Sequence, residues 1–103
     1  MQNFLDFKGK TALVTGAAGA LGKGVAEGLA QCGARVFITD LKPAQVEDTV
    51  RELQAAGHDA AGLAADVTDE AQVRAVVAAA AARFGGVIDI LVNVAGVAGQ
   101  KAV

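Results

Sequence analysis

The stretch Thr11-Ala12-Leu13-Val14-Thr15-Gly16-Ala17-Ala18-Gly19-Ala20-Leu21-Gly22 decides how this chain reads. Thr11 to Thr15 runs without a charge and is apolar at its centre, which suits a strand covered on both faces. The run ends at a glycine-rich turn, after which Leu21, Val25, Leu29 and Cys32 recur at the spacing of one helical stripe. Lys23, Glu27 and Gln31 fall on the other side, and Gly33 suits the position just past the last helical turn. Strand, glycine turn and amphipathic helix in that order open a β-α-β unit.

The alternation then repeats. Val36 to Thr39 reads as a second strand closed by Asp40, and Pro43 opens a helix that turns Val46, Val50 and Leu53 inward. Glu47 and Arg51 are placed for an i,i+4 pair on its outer side, and Gly57 ends it. Ala60 to Ala65 is a third strand by position more than by propensity. Thr68 is suited to cap the next helix, with Asp69 and Glu70 in its first turn and Val73, Val76, Val77, Ala80 and Phe84 as its inner stripe. Gly85-Gly86 breaks that helix before a fourth strand, Ile88 to Val92. Right-handed crossovers give one α/β domain over residues 1–103, a doubly wound parallel sheet of order 3-2-1-4. The first two helices share one face, and the third lies alone on the other. Part of that second face and the edge strand 88–92 are therefore expected to be bare.

Composition narrows the chemistry. Of 103 residues, 53% are hydrophobic and 19% charged, a balance that folds rather than staying disordered. Nine basic against eleven acidic residues give a net charge of −2, with no basic surface for a nucleic acid. One Cys and one His cannot build a thiolate and imidazole zinc site, and no disulfide can close within the chain. Ser, Tyr and Trp are absent, which excludes a Ser–His–Asp site within these residues. Cys32 reads as a core thiol and His58 as a solvated turn residue. Ala78 to Ala82 reads as good helix former. Met1 to Lys8 lacks an apolar run flanked by basic residues, so no membrane partner is expected and the cytoplasm is the expected compartment.

The turn from Gly16 to Gly22 lets backbone approach a pyrophosphate, while unpaired N–H groups and the positive end of the helix dipole favour its charge. Asp40 lies 24 residues after Gly16 at the end of the second strand. A carboxylate there accepts both ribose hydroxyls of NAD. Against the 2′-phosphate of NADP it meets a like charge, costing about 4 kcal/mol per unit charge at 4 Å and an effective dielectric near 20. NAD is therefore favoured over NADP. Lys42 softens that preference, but no Arg or Lys lies between Gly16 and Gly22. The plain alternative for Asp40 is a solvated loop acid or helix cap.

Taken in order, these residues resemble the short-chain dehydrogenases/reductases, over essentially the whole chain. The resemblance rests on a Thr-Gly-x-x-x-Gly-x-Gly-like loop at Thr15 to Gly22, the acid Asp40, the pair Asp66-Val67, and Asn93-Val94-Ala95-Gly96, which is similar to Asn-Asn-Ala-Gly. It implies a Rossmann-type fold and a dinucleotide site formed by Thr15, Gly16, Gly19, Ala20, Leu21, Gly22, Asp40, Leu41, Asp66, Val67, Asn93, Ala95 and Gly96. In the family the acid matching Asp66 contacts the adenine amino group, and the Asn-Ala-Gly segment lies under the adenosine ribose.

Three departures accompany it. Ala20 replaces the loop's middle glycine, so binding is expected to be weakened but kept, and Val94 replaces an Asn that braces nearby backbone. The family's chemistry uses Ser and a Tyr-x-x-x-Lys pair, and neither Ser nor Tyr is present here. The expectation is the cofactor-binding front part of a longer oxidoreductase, not catalytic alone. The alternatives are a free-standing NAD-binding module, and an interaction subunit that self-associates or pairs with a full-length dehydrogenase through its bare face and edge.

Overall fold

The computed structural model describes residues 6–94. Elements follow as β1 (Thr11–Thr15), α1 (Ala20–Gln31), β2 (Arg35–Thr39), α2 (Pro43–Ala55), β3 (Ala60–Gly62), α3 (Glu70–Arg83) and β4 (Ile90–Asn93). The strands form one sheet in the order β3-β2-β1-β4, every neighbouring pair parallel. This is the expected doubly wound arrangement.

Side chains alternate across the sheet with the period of two that a strand imposes. Ala12, Val14, Val36 and Ile38 pack with Ala26 and Ala30 of α1 and with Val46 and Leu53 of α2. Leu13 and Phe37 point the other way, onto Val76, Ala80 and Phe84. β1 is buried at all five positions because it has a strand on each side and helices on both faces. At its start Asp89 brackets Thr11: the Thr11 N–H donates to the carboxylate at 2.9 Å, and the Asp89 N–H donates to the Thr11 carbonyl at 2.9 Å. This pair of hydrogen bonds lies at the start of the register in which β4 joins β1.

Several expected details are corrected. α1 buries Gly22, Ala26 and Ala30, while Leu21 is 53% exposed and Val25 and Leu29 only flank the core. The reason is distance, since a Cβ on Gly22 would stand 2.0 Å from the Gly16 carbonyl oxygen, so only the smallest residues fit between helix and sheet. Cys32 is half-buried at the end of α1 rather than in its core, and Gly33 follows at φ +103°. Arg51 pairs with Asp48 at 3.0 Å, not with Glu47. Asp69, not Thr68, caps α3 by accepting from the N–H groups of Ala71 and Gln72. Val77 is exposed instead of lining the inner stripe.

The strand limits shift as well. β3 stops at Gly62, although the Leu63 and Ala65 N–H groups still donate to the carbonyls of Ile38 and Asp40. β4 begins at Ile90 and includes Asn93. Across the first face Lys23 of α1 pairs with Glu52 of α2, whose carboxylate raises the lysine above its ordinary range. The pair is complete below that range and is lost as pH rises through the raised value.

Substituting Gly22→Ala is expected to cost about 3 kcal/mol or more of unfolding free energy, because backbone must move to admit the methyl. Gly24→Ala, on the same helix with nothing within 4 Å of its added Cβ, is expected to gain about 1 kcal/mol. Denaturant unfolding of the two variants checks the contrast.

Candidate functional site

Where the parallel strands end, the loops that follow them diverge, and a cleft opens at that edge. It has a volume of about 420 Å³ and is lined by the turn after β1, the end of β2, the segment after β3 and the end of β4. Ten of the thirteen residues singled out from the sequence line it: Gly16, Gly19, Ala20, Leu21, Gly22, Asp40, Leu41, Asp66, Val67 and Asn93. Ala95 and Gly96 lie outside the described residues. Thr15 is buried one step behind the cleft, and its hydroxyl donates to Asn93 Oδ1 at 2.7 Å. It holds the ends of β1 and β4 together there.

The turn is built for a close approach. Gly16 sits at φ +65°, a conformation that side chains disfavour. Gly19 is the N-cap of α1, with no side-chain cap, and no acid occupies the helix's first turn. The positive end of α1 therefore faces the cleft with neither a capping side chain nor a first-turn carboxylate to satisfy it. The turn is tied down from β2 instead. The Ala17 N–H donates to the Thr39 carbonyl at 3.2 Å, and the Ala18 N–H to Asp40 Oδ2 at 2.9 Å. The other carboxylate oxygen of Asp40 accepts from its neighbour Leu41 at 2.8 Å.

Across the cleft, Asp66 Oδ1 accepts from the Thr68 N–H at 2.9 Å and from the Thr68 hydroxyl at 2.6 Å. These two bonds, the hydroxyl foremost, hold the Asp66 carboxyl below its ordinary range. Its second oxygen receives no side-chain or backbone donor among these bonds. Ala65, Thr68 and Val94 also line the cleft, although the sequence reading did not place them among the site residues. The signal for Thr68 was the Asp-x-Thr spacing, which closes an Asx turn.

A second, smaller cleft of about 200 Å³ lies on the α3 face between Val73, Val76 and Val77 and the exposed Leu91 of β4. Thr15, Thr39 and Asn93 share its lining, and the Thr39 hydroxyl is buried without a partner. No group of His, Cys, Asp and Glu among the described residues is placed to hold a metal ion, and no described helix is long and apolar enough to cross a membrane.

A parallel sheet of order 3-2-1-4 with helices on both faces and a glycine-walled cleft at the strand ends defines a doubly wound α/β protein of the Rossmann type. The chain belongs to the short-chain dehydrogenase family, whose model matches residues 10–103. It is 45% identical over 96 residues to the cis-4-hydroxycyclohexanecarboxylate dehydrogenase of Sinomonas cyclohexanicum, covering 93% of this chain and 38% of that protein. Among solved structures it resembles a variant of the actinorhodin polyketide ketoreductase with NADPH, at a TM-score of 0.79 and 38% identity, covering 82% of this chain and 32% of that one. It also resembles a short-chain dehydrogenase/reductase from Burkholderia phymatum in complex with NAD, at a TM-score of 0.80 and 35% identity, covering 85% and 31%. The chain spans about a third of the length of the curated relatives it matches.

Asp66 is expected to stay ionised at pH values where a free carboxylate has protonated. Because its folded value is depressed, its contribution to stability is present above the ordinary carboxylate range and is lost as pH falls through the lower value. Thr68→Val removes the hydroxyl donor, and its expected effect is an upward shift of the Asp66 carboxyl titration followed by NMR.

Proposed function

We infer that this chain binds the adenosine and pyrophosphate parts of NAD in the cleft, as the cofactor-binding portion of a short-chain dehydrogenase-type oxidoreductase. The observation that carries the reading is the joint placement of Gly16, the uncapped start of α1 and the Asp40 carboxylate at one cleft. Gly22 supports it, because a Cβ there would close the approach of α1 to the turn. Bound NAD supplies the hydride acceptor for an alcohol, or in reduced form the donor for a ketone.

In this reading the N–H groups at the start of α1 face the pyrophosphate, and Asp40 accepts from the adenosine ribose hydroxyls. Asp66 accepts from the adenine amino group, between Leu41 and Val67, and Asn93 lies toward the ribose. Thr15 acts from behind, through its bond to Asn93. Ala20 adds a methyl on the turn, which weakens binding without closing the cleft. The 103 residues hold no Ser and no Tyr, so the reading gives them the cofactor and not the proton transfer that the resemblance assigns to Ser, Tyr and Lys.

The negative charge of Asp40 favours NAD over NADP, whose 2′-phosphate would meet it as a like charge. Thermal unfolding followed by circular dichroism tests this, since the chain has no Trp or Tyr for a fluorescence signal. NAD at a hundred times its dissociation constant is expected to stabilise the fold by about 2.7 kcal/mol. For a domain of this size the midpoint then rises by on the order of 10 °C. NADP at the same concentration is expected to shift it far less, Asp40→Arg to reverse the order, and Gly16→Val to abolish both responses. Equal shifts with the two nucleotides in the unsubstituted chain overturn the preference.

A further inference from the structure

We propose that Asp40 is a positioning residue for the glycine-rich turn, in addition to the ribose-accepting role given to it above. The inference rests on that reading for its ligand, but not for its geometry. From Gly16 to Gly19 the turn consists of Gly and Ala alone, so it has no hydroxyl, amide or carboxylate with which to fix its own backbone. Asp, Asn, Ser and Thr can fix a turn by bonding its backbone locally, and none lies between Gly16 and Gly19. Here the holding group comes from 22 residues away: Asp40 Oδ2 accepts from the Ala18 N–H at 2.9 Å.

Two further bonds of Asp40 and one of its neighbour Thr39 tie this end of β2 in place. Asp40 Oδ1 accepts from the Leu41 N–H at 2.8 Å, its carbonyl accepts from the Ala65 N–H at 2.9 Å, and beside it the Thr39 carbonyl accepts from Ala17 at 3.2 Å. The carboxylate thus spans the ends of β1 and β2, and its main chain reaches the segment after β3. A bond from an amide to a charged acceptor is among the stronger ones available to a loop. Ala18 immediately precedes Gly19, the N-cap of α1, so fixing its N–H fixes where the first helical amides point. A carboxylate has about four acceptor positions. Two amide donors leave room for two ribose hydroxyls, so one group both receives the ribose and orders the cradle for the pyrophosphate. Ordering the cradle beforehand lowers the entropy lost on binding.

The experiment separates the two roles through the ligand. ADP offers the ribose hydroxyls, and 2′,3′-dideoxy-ADP does not, while both carry the pyrophosphate. Asp40→Ala is expected to weaken ADP about a hundred-fold and 2′,3′-dideoxy-ADP about ten-fold, measured by calorimetry. Asp40→Asn keeps one acceptor for Ala18 and is expected to restore 2′,3′-dideoxy-ADP binding to within about three-fold of the unsubstituted chain. In the protein without nucleotide, exchange of the Ala18 amide is expected to speed up about ten-fold in Asp40→Ala, with Val14 in β1 unchanged as the control for global stability. Equal affinity of the unsubstituted chain and Asp40→Ala for 2′,3′-dideoxy-ADP overturns the proposal. If the unsubstituted chain binds neither nucleotide, the cofactor reading fails by itself, and the Ala18 exchange rate alone decides: a faster rate sustains the positioning role, an equal one overturns it.

Discussion

The closeness of α1 to the turn that leaves β1 governs the rest of the structure. Gly22 lies so near Gly16 that any side chain would force the backbone apart. From that contact follow the small residues on the buried side of α1, the positive φ of Gly16, and a helix start aimed into a cleft instead of into solvent. The same device recurs between α2 and β3, where a Cβ on Gly62 would meet the Ile38 carbonyl oxygen at 2.8 Å and Val46 Cγ1 at 2.9 Å. Both helices of this face therefore ride close on the sheet, and Lys23 and Glu52 meet between them.

The two faces are unequal. Among the described residues, one carries α1 and α2, while the other carries α3 alone, over Leu13 and Phe37. Leu91 follows Leu13 in register but is 65% exposed, and Val77 and Val87 are exposed too. A parallel sheet ordinarily has both faces covered. Ile90 and Val92, on the opposite face of β4, pack at the margin of the larger core, so the area that the described residues leave open is local to the α3 side of that strand.

The sheet order, the parallel pairing and most of the cleft were legible in the sequence because they depend on order and spacing. Glycine turns, a buried β1 and the carboxylates at strand ends stand at fixed intervals along the chain. What spacing does not carry is distance between elements. The stripe through Leu21 differs from the buried one because hydrophobicity marks the larger residues, whereas the tight approach selects Gly22, Ala26 and Ala30. The cap of α3 was misplaced by one residue because Thr68 and Asp69 are both good caps, and the competition was settled by the Asx turn that draws the Thr68 hydroxyl to Asp66. The bond from Ala18 to Asp40 was beyond reach for the same reason, since nothing local to either residue announces it.

Amide chemical-shift mapping of the chain titrated with NAD tests directly whether the strand-end cleft binds adenosine and pyrophosphate. Binding there gives saturable shifts concentrated at Gly16 to Gly22, Asp40 and Leu41, and Asp66 to Thr68, with the α3-side groove at Val77 and Leu91 unmoved. Shifts centred on that groove, or none at saturating nucleotide in a chain whose spectrum shows it folded, contradict it.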